Sequence, residues 1–475
     1  MKPRKLDVSY SENQEQVSPV GTRYTTPMAR IFSDESYIQY LLDVEAENVK
    51  VLSELYPKKV PKSAATRISR IADTKRVTTR LVRDIEENKT HHEMAAIIAA
   101  MSEKAGPSGK YIHFAMTSAD AVETAKAIQI KNALSMLIKS ASALRDTCIR
   151  AAVRWKDIPS ITRTHGQHAV PASFGLPFAF FGYSLQKSID RLARDMADYT
   201  EGKLSGVVGT YDVHKNEGID GPTVEKKILS RLGVKRPEMS MQTPSRENIA
   251  YIISDLAVLC GRLAAIASYI KTLKRTEILE LEEIQDHGSV GSSAMPHKSL
   301  RGNPFIEERC ISIARVVRGH AASSLESVHT EDFRDLTASL SDRIAIPESF
   351  ILSDYSCGLV KNLLERSAPA QDNIMRNLRS TKGITSSPLV MSKLVEKGMQ
   401  RQRARELTTK AAALSINGGI SYYDALLKNR QITRLLSREE LAGLCDPASN
   451  LGMSKELIDE IARKYRKSRP KSLLS

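Results

Sequence analysis

The run Ile252-Ile253-Ser254-Asp255-Leu256-Ala257-Val258-Leu259-Cys260-Gly261-Arg262-Leu263, with its continuation to Leu273, decides the fold class. Apolar residues fall at Ile252, Leu256, Leu259, Leu263, Ile266, Ile270 and Leu273, in alternating steps of four and three. That spacing keeps one face of an α-helix apolar over several heptads, the seam along which left-handed bundles pack. The same alternation runs through Ile130, Leu134, Leu137, Ala141, Leu144, Cys148, Ala151 and Trp155. A third stripe comprises Phe178, Phe181, Leu185, Ile189, Leu192, Met196 and Tyr199. Helices of this kind reach about 35–40 Å at 1.5 Å per residue, more than one compact domain needs. The expectation is an all-α chain with a long central helix bundle that packs against copies of itself.

Shorter helices flank this centre. Ser33-Asp34-Glu35 reads as a capping serine with acids in the first turn of a helix carrying Ile38, Leu41, Leu42, Val49, Leu52 and Leu55. A second helix is expected from Glu87 to Lys104, followed by the turn Lys104-Ala105-Gly106-Pro107-Ser108-Gly109. Residues 203–222 read as a loop or small strand region. After Leu363 the heptads give way to helices around Leu389–Lys397 and Arg403–Leu414. Three helical domains are expected: residues 1–111, residues 112–364 with the long bundle, and residues 365–475. No internal repeat or low-complexity segment is visible.

A chain of 475 residues with 41% hydrophobic and 26% charged side chains has the composition of a globular protein with a sizeable core. Aromatics at 5% fit helix packing by Leu, Ile, Val and Ala. No uncharged apolar run approaches the length of a membrane span, so no membrane partner is expected. The first residues, Met1-Lys2-Pro3-Arg4-Lys5-Leu6-Asp7, have no hydrophobic signal region behind them. The five cysteines, Cys148, Cys260, Cys310, Cys357 and Cys445, stand apart, with neither metal nor redox spacing. A reducing, cytoplasmic setting follows as an expectation. The net charge of +15 raises the possibility of a nucleic-acid partner, but no nucleic-acid module accompanies it. Part of the excess is local, in Arg463, Lys464, Arg466, Lys467, Arg469 and Lys471. The charge is read as a solvated basic tail plus a site that attracts polyanionic small molecules, and no nucleic-acid partner is expected.

Chemistry concentrates in short polar words. Gly291-Ser292-Ser293-Ala294-Met295-Pro296-His297-Lys298 leads through Ser299-Leu300-Arg301-Gly302 to Asn303-Pro304. A Gly-Ser-Ser turn exposes backbone N–H groups to anions, and Lys298 adds a positive charge beside the hydroxyls. Such a loop suits a dicarboxylate, or a serine oxyanion that must stay ionised. The histidines cluster in His91-His92-Glu93, in His113 before Thr117-Ser118-Ala119-Asp120, and in Thr164-His165-Gly166-Gln167-His168. Taken singly, each reads as a structural histidine; the chemical reading rests on the polar words they share. Beyond His91/His92 and His165/His168 no histidine pair with a carboxylate spaced for ligation stands out, so no metal and no cofactor is expected. Arg334, Ser339 and Arg343 offer two guanidiniums and a hydroxyl, natural phosphate ligands. Taken by itself, the segment reads rather as a surface ion-pair cluster with Asp335 and Asp342.

Together these words resemble the fumarase/aspartase superfamily, and within it the adenylosuccinate lyase family. Gly-Ser-Ser-x-Met-Pro-x-Lys and Asn-Pro form the superfamily signature. Arg23-Tyr24, His92-Glu93-Met94-Ala95-Ala96 and Ile112-His113-Phe114-Ala115-Met116-Thr117-Ser118-Ala119-Asp120 are similar to successive words of the narrower family. So are Arg163-Thr164-His165-Gly166, Ser205-Gly206-Val207-Val208-Gly209-Thr210, Gln242-Thr243 with Arg246, and Arg334 to Arg343. Three departures stand out: Ser299-Leu300-Arg301-Gly302 lengthens the signature loop, Glu93 replaces an Asp, and Ala338 replaces a His.

The resemblance implies a β-elimination that releases fumarate from a succinylated purine nucleotide. It implies Ser292 as base, His165 as acid, Glu308 as the acid's carboxylate partner, Lys298 as anion stabiliser and His92 near the substrate. It further implies Thr117, Ser118, Thr164, Gln242 and Asn303 as succinyl contacts, with His91 and His113 as additional binding residues. Arg23, Tyr24, Arg334, Ser339 and Arg343 would surround the phosphate. The fold implied is a fumarase/aspartase-type bundle assembled as a homotetramer, each site shared between three subunits. Other branches, such as argininosuccinate lyase or a carboxymuconate cycloisomerase, remain open, as does a non-catalytic basic helical binding protein.

Overall fold

The computed structural model describes residues 19–284, 294, 295, 297, 298 and 303–466. Its architecture is all-α, dominated by long helices at Ser118–Arg154, Leu176–Asp198, Glu247–Leu273, Phe305–Glu326 and Thr337–Glu365. The three stripes read from the sequence lie on the first three of these. Ile252, Leu256, Leu259, Leu263, Ile266 and Ile270 are all at most 1% exposed. The Glu247–Leu273 helix is long and apolar enough to cross a membrane by length and composition. Its apolar seam is nonetheless spent on packing, and Asp255 and Arg262 interrupt its other faces.

The chain packs as two compact units. The first takes Met1–Ala141, Lys187–Gly261 and Ser312–Cys357; the second takes Ser142–Gln186, Arg262–Ile311 and Gly358–Ser475. In the first unit, the Asp34–Leu55 helix begins where Ser33 accepts a hydrogen bond from the Ser36 N–H at 3.2 Å. Its face Ile38, Leu41, Leu42, Val49 and Leu52 is buried, while Leu55 at its end is 37% exposed. One apolar cluster joins this face to Ile97 and Met101, runs through the Gly106–Tyr111 turn, and continues to Ile112, Ala121 and Ala125.

The helix expected from Glu87 to Lys104 is broken. A single π-helical turn, Glu86–Thr90, ends at His91, whose φ is 49°. A new helix, Glu93–Ala105, then starts with extended His92 as its cap, the imidazole Nδ1 accepting from the Ala95 N–H at 3.3 Å. A histidine at this position satisfies one of the orphan N–H groups of the new helix, so two consecutive histidines mark a restart rather than a continuation.

The second unit holds a feature that the helical stripes hid. Strands β1 (Pro159–Thr164) and β2 (Gln167–Ser173) form an antiparallel hairpin with Thr164 paired to Gln167 and Arg163 to His168. A second short pair joins β3 (Leu281–Glu283) to β4 (Ser367–Pro369). The Ser387–Glu396 and Arg401–Gly418 helices lie where the sequence placed them, around a core of Leu394, Leu407, Tyr422, Leu426, Ile432 and Leu441. All five cysteines are buried thiols. Burial pushes the thiol of Cys148 up to about 12 and that of Cys445 up to about 11.

Candidate functional site

The first unit contains a cavity of about 850 Å³. The break at His91 is what turns His91 and His92 into its wall. Ser118 enters from the first turn of the Ser118–Arg154 helix, and Gln242 from the segment before the Glu247–Leu273 helix. Arg334, Ser339 and Arg343 come from the start of the Thr337–Glu365 helix. Ser339 and Arg343, four residues apart, share a helix face, and Arg334 reaches the same cavity from the preceding loop. Asp335 anchors that loop: it accepts from the Glu331 N–H at 2.6 Å and the Thr337 N–H at 2.8 Å. The Thr337 hydroxyl, helped by those N–H groups, holds the Asp335 carboxyl down at about 2.

The ion pairs expected of Arg334 and Arg343 with Asp335 and Asp342 do not form. Arg334 donates to the neutral Gln242 Oε1 at 3.1 Å. Arg343 donates to Glu93 Oε2 at 3.2 Å. Glu93 also meets Arg83 at 3.4 Å and accepts from the Tyr37 hydroxyl at 3.3 Å. Burial, reinforced by the Glu93 charge, holds the Tyr37 phenol protonated, well above its ordinary pKa. Arg83 is itself clamped by Asp34 and, at 2.6 Å, by Glu86. Asp342, 3% exposed, takes Arg246 at 2.5 Å and Lys126 at 3.1 Å instead. The cavity wall is therefore a set of braced cations, and Arg334 is the guanidinium there whose described partner carries no negative charge. Such a wall can receive a polyanion with one strongly attractive end.

Sequence reasoning missed Arg83, Tyr37 and Lys126 in this wall. Lys126 was findable, since Ser118, Val122 and Lys126 recur every four residues along one face of a helix. Arg83 carried no such signal.

His113 and Thr117 stand outside the cavity lining but in the same unit. His113, at φ 60°, places Nδ1 2.6 Å from Glu45 Oε1, and its backbone N–H donates to Glu45 Oε2 at 2.8 Å. Burial works against the charged ring, yet the Glu45 carboxylate outweighs it, and the imidazole pKa stands above its usual value. The Thr117 N–H donates to Asp120 Oδ2 at 2.8 Å. Asp120 in turn forms an ion pair with Lys203 at 2.5 Å, both side chains 0% exposed. Lys203 also donates to the Gly206 carbonyl at 2.8 Å, which ties the Ser205–Thr210 turn to the start of the long helix. Arg23 is exposed after the turn Pro19–Thr22, and the Tyr24 ring lies 5.8 Å from that of Tyr355.

The remaining candidates belong to the second unit. Thr164 ends β1, and His165 is exposed at the hairpin tip. Lys298 is half-buried in a short turn in which its N–H donates to the Met295 carbonyl at 3.0 Å. Asn303 precedes the Phe305–Glu326 helix. Glu308 pairs with Lys271 at 2.7 Å rather than with His165. Ser292 lies outside the described residues. Among the described residues, no group of three or more His, Cys, Asp or Glu side chains is placed to hold a metal ion.

The family model described as "Lyase" matches residues 22–319, and that described as "Adenylosuccinate lyase C-terminus" matches residues 383–461. The adenylosuccinate lyase of Pyrococcus abyssi is 34% identical over 94% of this chain and 97% of its own. That of Methanothermobacter thermautotrophicus is 34% identical over 95% of this chain and 99% of its own. Among solved structures, a fumarate lyase from Mesorhizobium sp. BNC1 aligns with a TM-score of 0.82 at 23% identity, covering 93% of this chain and 98% of that one. The 3-carboxy-cis,cis-muconate lactonizing enzyme from Pseudomonas putida aligns with a TM-score of 0.81 at 24% identity, covering 94% and 98%. These two likenesses establish the helical-bundle fold. The near-full-length identities and the match to the C-terminal family model place the chain more narrowly: it belongs to the adenylosuccinate lyases, C–N lyases of the fumarase/aspartase superfamily.

Proposed function

We propose that this chain cleaves adenylosuccinate to AMP and fumarate, and succinylaminoimidazole carboxamide ribotide to its aminoimidazole product (AICAR) and fumarate. The observation that carries this reading is the cavity wall in which Arg334, Ser339 and Arg343 converge with His91, His92, Ser118 and Gln242. A phosphate needs guanidiniums and a hydroxyl at one end of a pocket, and Arg334 has a neutral partner to give up. An 850 Å³ cavity lies within the range of small-molecule sites.

The chemistry has two barriers. A C–H beside a carboxylate must lose a proton while charge builds on that carboxylate. The purine nitrogen must gain a proton before it can leave. Ser292 acts as base, with Lys298 and the loop N–H groups stabilising its alkoxide or the substrate carboxylate. His165 acts as acid, with Glu308 holding its tautomer. Thr117, Ser118, Thr164, Gln242 and Asn303 hold the succinyl group, and Arg23, Tyr24, Arg334, Ser339 and Arg343 hold the phosphate.

The working form is a homotetramer in which three subunits contribute to each site. Apolar side chains left outside on the long helices support this. Tyr251 and Val258, seven residues apart on one helix face, are 48% and 63% exposed, and Leu340 and Ile344 are 70% and 46% exposed. The pairing of Glu308 with Lys271 within one chain also fits an acid partner drawn from elsewhere.

The test is an absorbance assay of adenylosuccinate cleavage by the wild type and Ser292→Ala at equal folded concentration. Turnover abolished by the substitution supports the substrate and the base together. No turnover by well-folded wild type refutes the substrate. Turnover that survives Ser292→Ala removes Ser292 as base.

A further inference from the structure

The hairpin that presents His165 has an anchor outside the site. At its tip, His165 and Gly166 both have positive φ, 53° and 77°, as the mirror-image two-residue turn requires. The direction of that tip is set by the last pairs beneath it, Thr164 with Gln167 and Arg163 with His168. Thr164 and Gln167 are not buried, but the Arg163 side chain is only 18% exposed and reaches inward. Its guanidinium makes a two-pronged contact with Glu280, 2.6 Å to Oε1 and 3.0 Å to Oε2. Such a fork fixes the guanidinium in angle as well as in position.

Glu280 is itself immobilised. It is 1% exposed, and Asn377 Nδ2 donates to its Oε1 at 2.8 Å while also holding the Ile278 carbonyl at 2.8 Å. Its backbone is bonded on both sides: its N–H donates to the Leu273 carbonyl at 2.9 Å, and its carbonyl accepts from the Ala370 N–H at 3.0 Å. The preceding residue, Leu279, sits at φ 48°, a conformation the surrounding contacts must hold in place. A buried carboxylate with this many fixed partners is a rigid reference point, and among the described residues the cation it grips is Arg163 of the hairpin.

We propose that Glu280, through Arg163 and with Asn377 as its brace, is a positioning residue for proton transfer by His165. This rests on the reading of His165 as the acid. The pair sits two residues from the tip, so loosening it changes where the imidazole points without touching the substrate. Displacements of about 1 Å in a reacting group cost up to about 100-fold in rate.

The experiment compares Glu280→Gln, His165→Ala and the double variant in the full-length protein, with adenylosuccinate as substrate. Folding and assembly are checked by circular dichroism and light scattering. Glu280→Gln keeps the shape and the bond to Asn377 but breaks one prong of the fork. Its kcat is expected to fall at least about 10-fold with KM changed less than about two-fold. In the His165→Ala background the same substitution is expected to change kcat by less than two-fold, because there is no imidazole left to aim. An equal loss in both backgrounds assigns Glu280 a merely structural role and overturns the proposal, as does wild-type kcat in Glu280→Gln. Wild-type kcat in His165→Ala overturns it differently, by removing the acid assignment on which it stands. If Glu280→Gln does not fold, Arg163→Lys, which keeps the charge and loses the fork, enters the same comparison.

Discussion

Replacing Lys203 by methionine tests how the first unit ties its Ser205–Thr210 turn to its long helix. Methionine is close to lysine in volume, so the substitution removes the charge and leaves little cavity. Lys203 and Asp120 are both 0% exposed and 2.5 Å apart, so the change strands a carboxylate in the interior. Breaking a buried pair from one side costs about 3–5 kcal/mol. Asp120 keeps two N–H donors, Thr117 at 2.8 Å and Gly206 at 3.3 Å, which offset part of that cost and place the loss near about 3 kcal/mol. At roughly 2 °C per kcal/mol for a large chain, the thermal midpoint should fall by about 6 °C. The assay is a melt at fixed protein concentration and scan rate, with Asp120→Asn and the double variant measured alongside. The double variant should be more stable than the sum of the single losses predicts, because neither charge is then left alone. A drop below about 2 °C for Lys203→Met, or strict additivity in the double variant, refutes the claim that this pair is the tie between the long helix and the Ser205–Thr210 turn.

Three further outcomes are expected. The His113 pKa is raised in the folded state, so its pair with Glu45 contributes fully below about pH 6.5 and less as pH climbs through the folded value. The melting difference between wild type and His113→Gln should therefore be larger at pH 6 than at pH 8; a difference that grows with pH contradicts it. Burial, and then the neighbouring Asp255, push the Asp195 carboxyl up to about 7. The unfolded carboxyl ionises near pH 4, so the folded state is penalised increasingly from about pH 4 to pH 7. Asp195→Asn should thus gain more in melting temperature at pH 8 than at pH 5, and a pH-independent difference would sink this account. Val258→Asp, on the exposed face of the Glu247–Leu273 helix, should lower the mass seen by light scattering below four chains while helicity persists; an intact tetramer rules out that face as the seam.

The helices were legible because their signal is local and repeated. Ile252 through Leu273 states the same apolar face seven times over, and no distant residue is needed to read it. The Ser33 cap was legible for the same reason. The break at His91 was not, because the apolar run from Ala95 to Met101 fits one helix as well as two. The left-handed backbone of His91 and the Nδ1 bond to the Ala95 N–H distinguish them. The β1–β2 hairpin was missed because its strands are short and largely polar, although β-branched Ile161, Thr162 and Thr164 before the turn residues His165-Gly166 favour a strand. For the cavity, the residues were nameable in advance but their partners were not. Arg343 lies 250 positions from Glu93, and nothing in its own segment says that it prefers this carboxylate to Asp342. The reading of Arg334 to Arg343 as a surface ion-pair cluster fails on that long-range choice.

The buried cysteines turn the folded protein into its own clock. A thiol reagent needs an accessible thiolate, and these side chains offer neither access nor, at Cys148 and Cys445, an easily lost proton. Labelling therefore proceeds only as fast as the structure opens. Cys260 and Cys357 report on the first unit, while Cys148, Cys310 and Cys445 report on the second. If the units open together, all five thiols react with one rate constant. If they open separately, the trace splits into two phases in a ratio of two thiols to three, without any label having to be introduced.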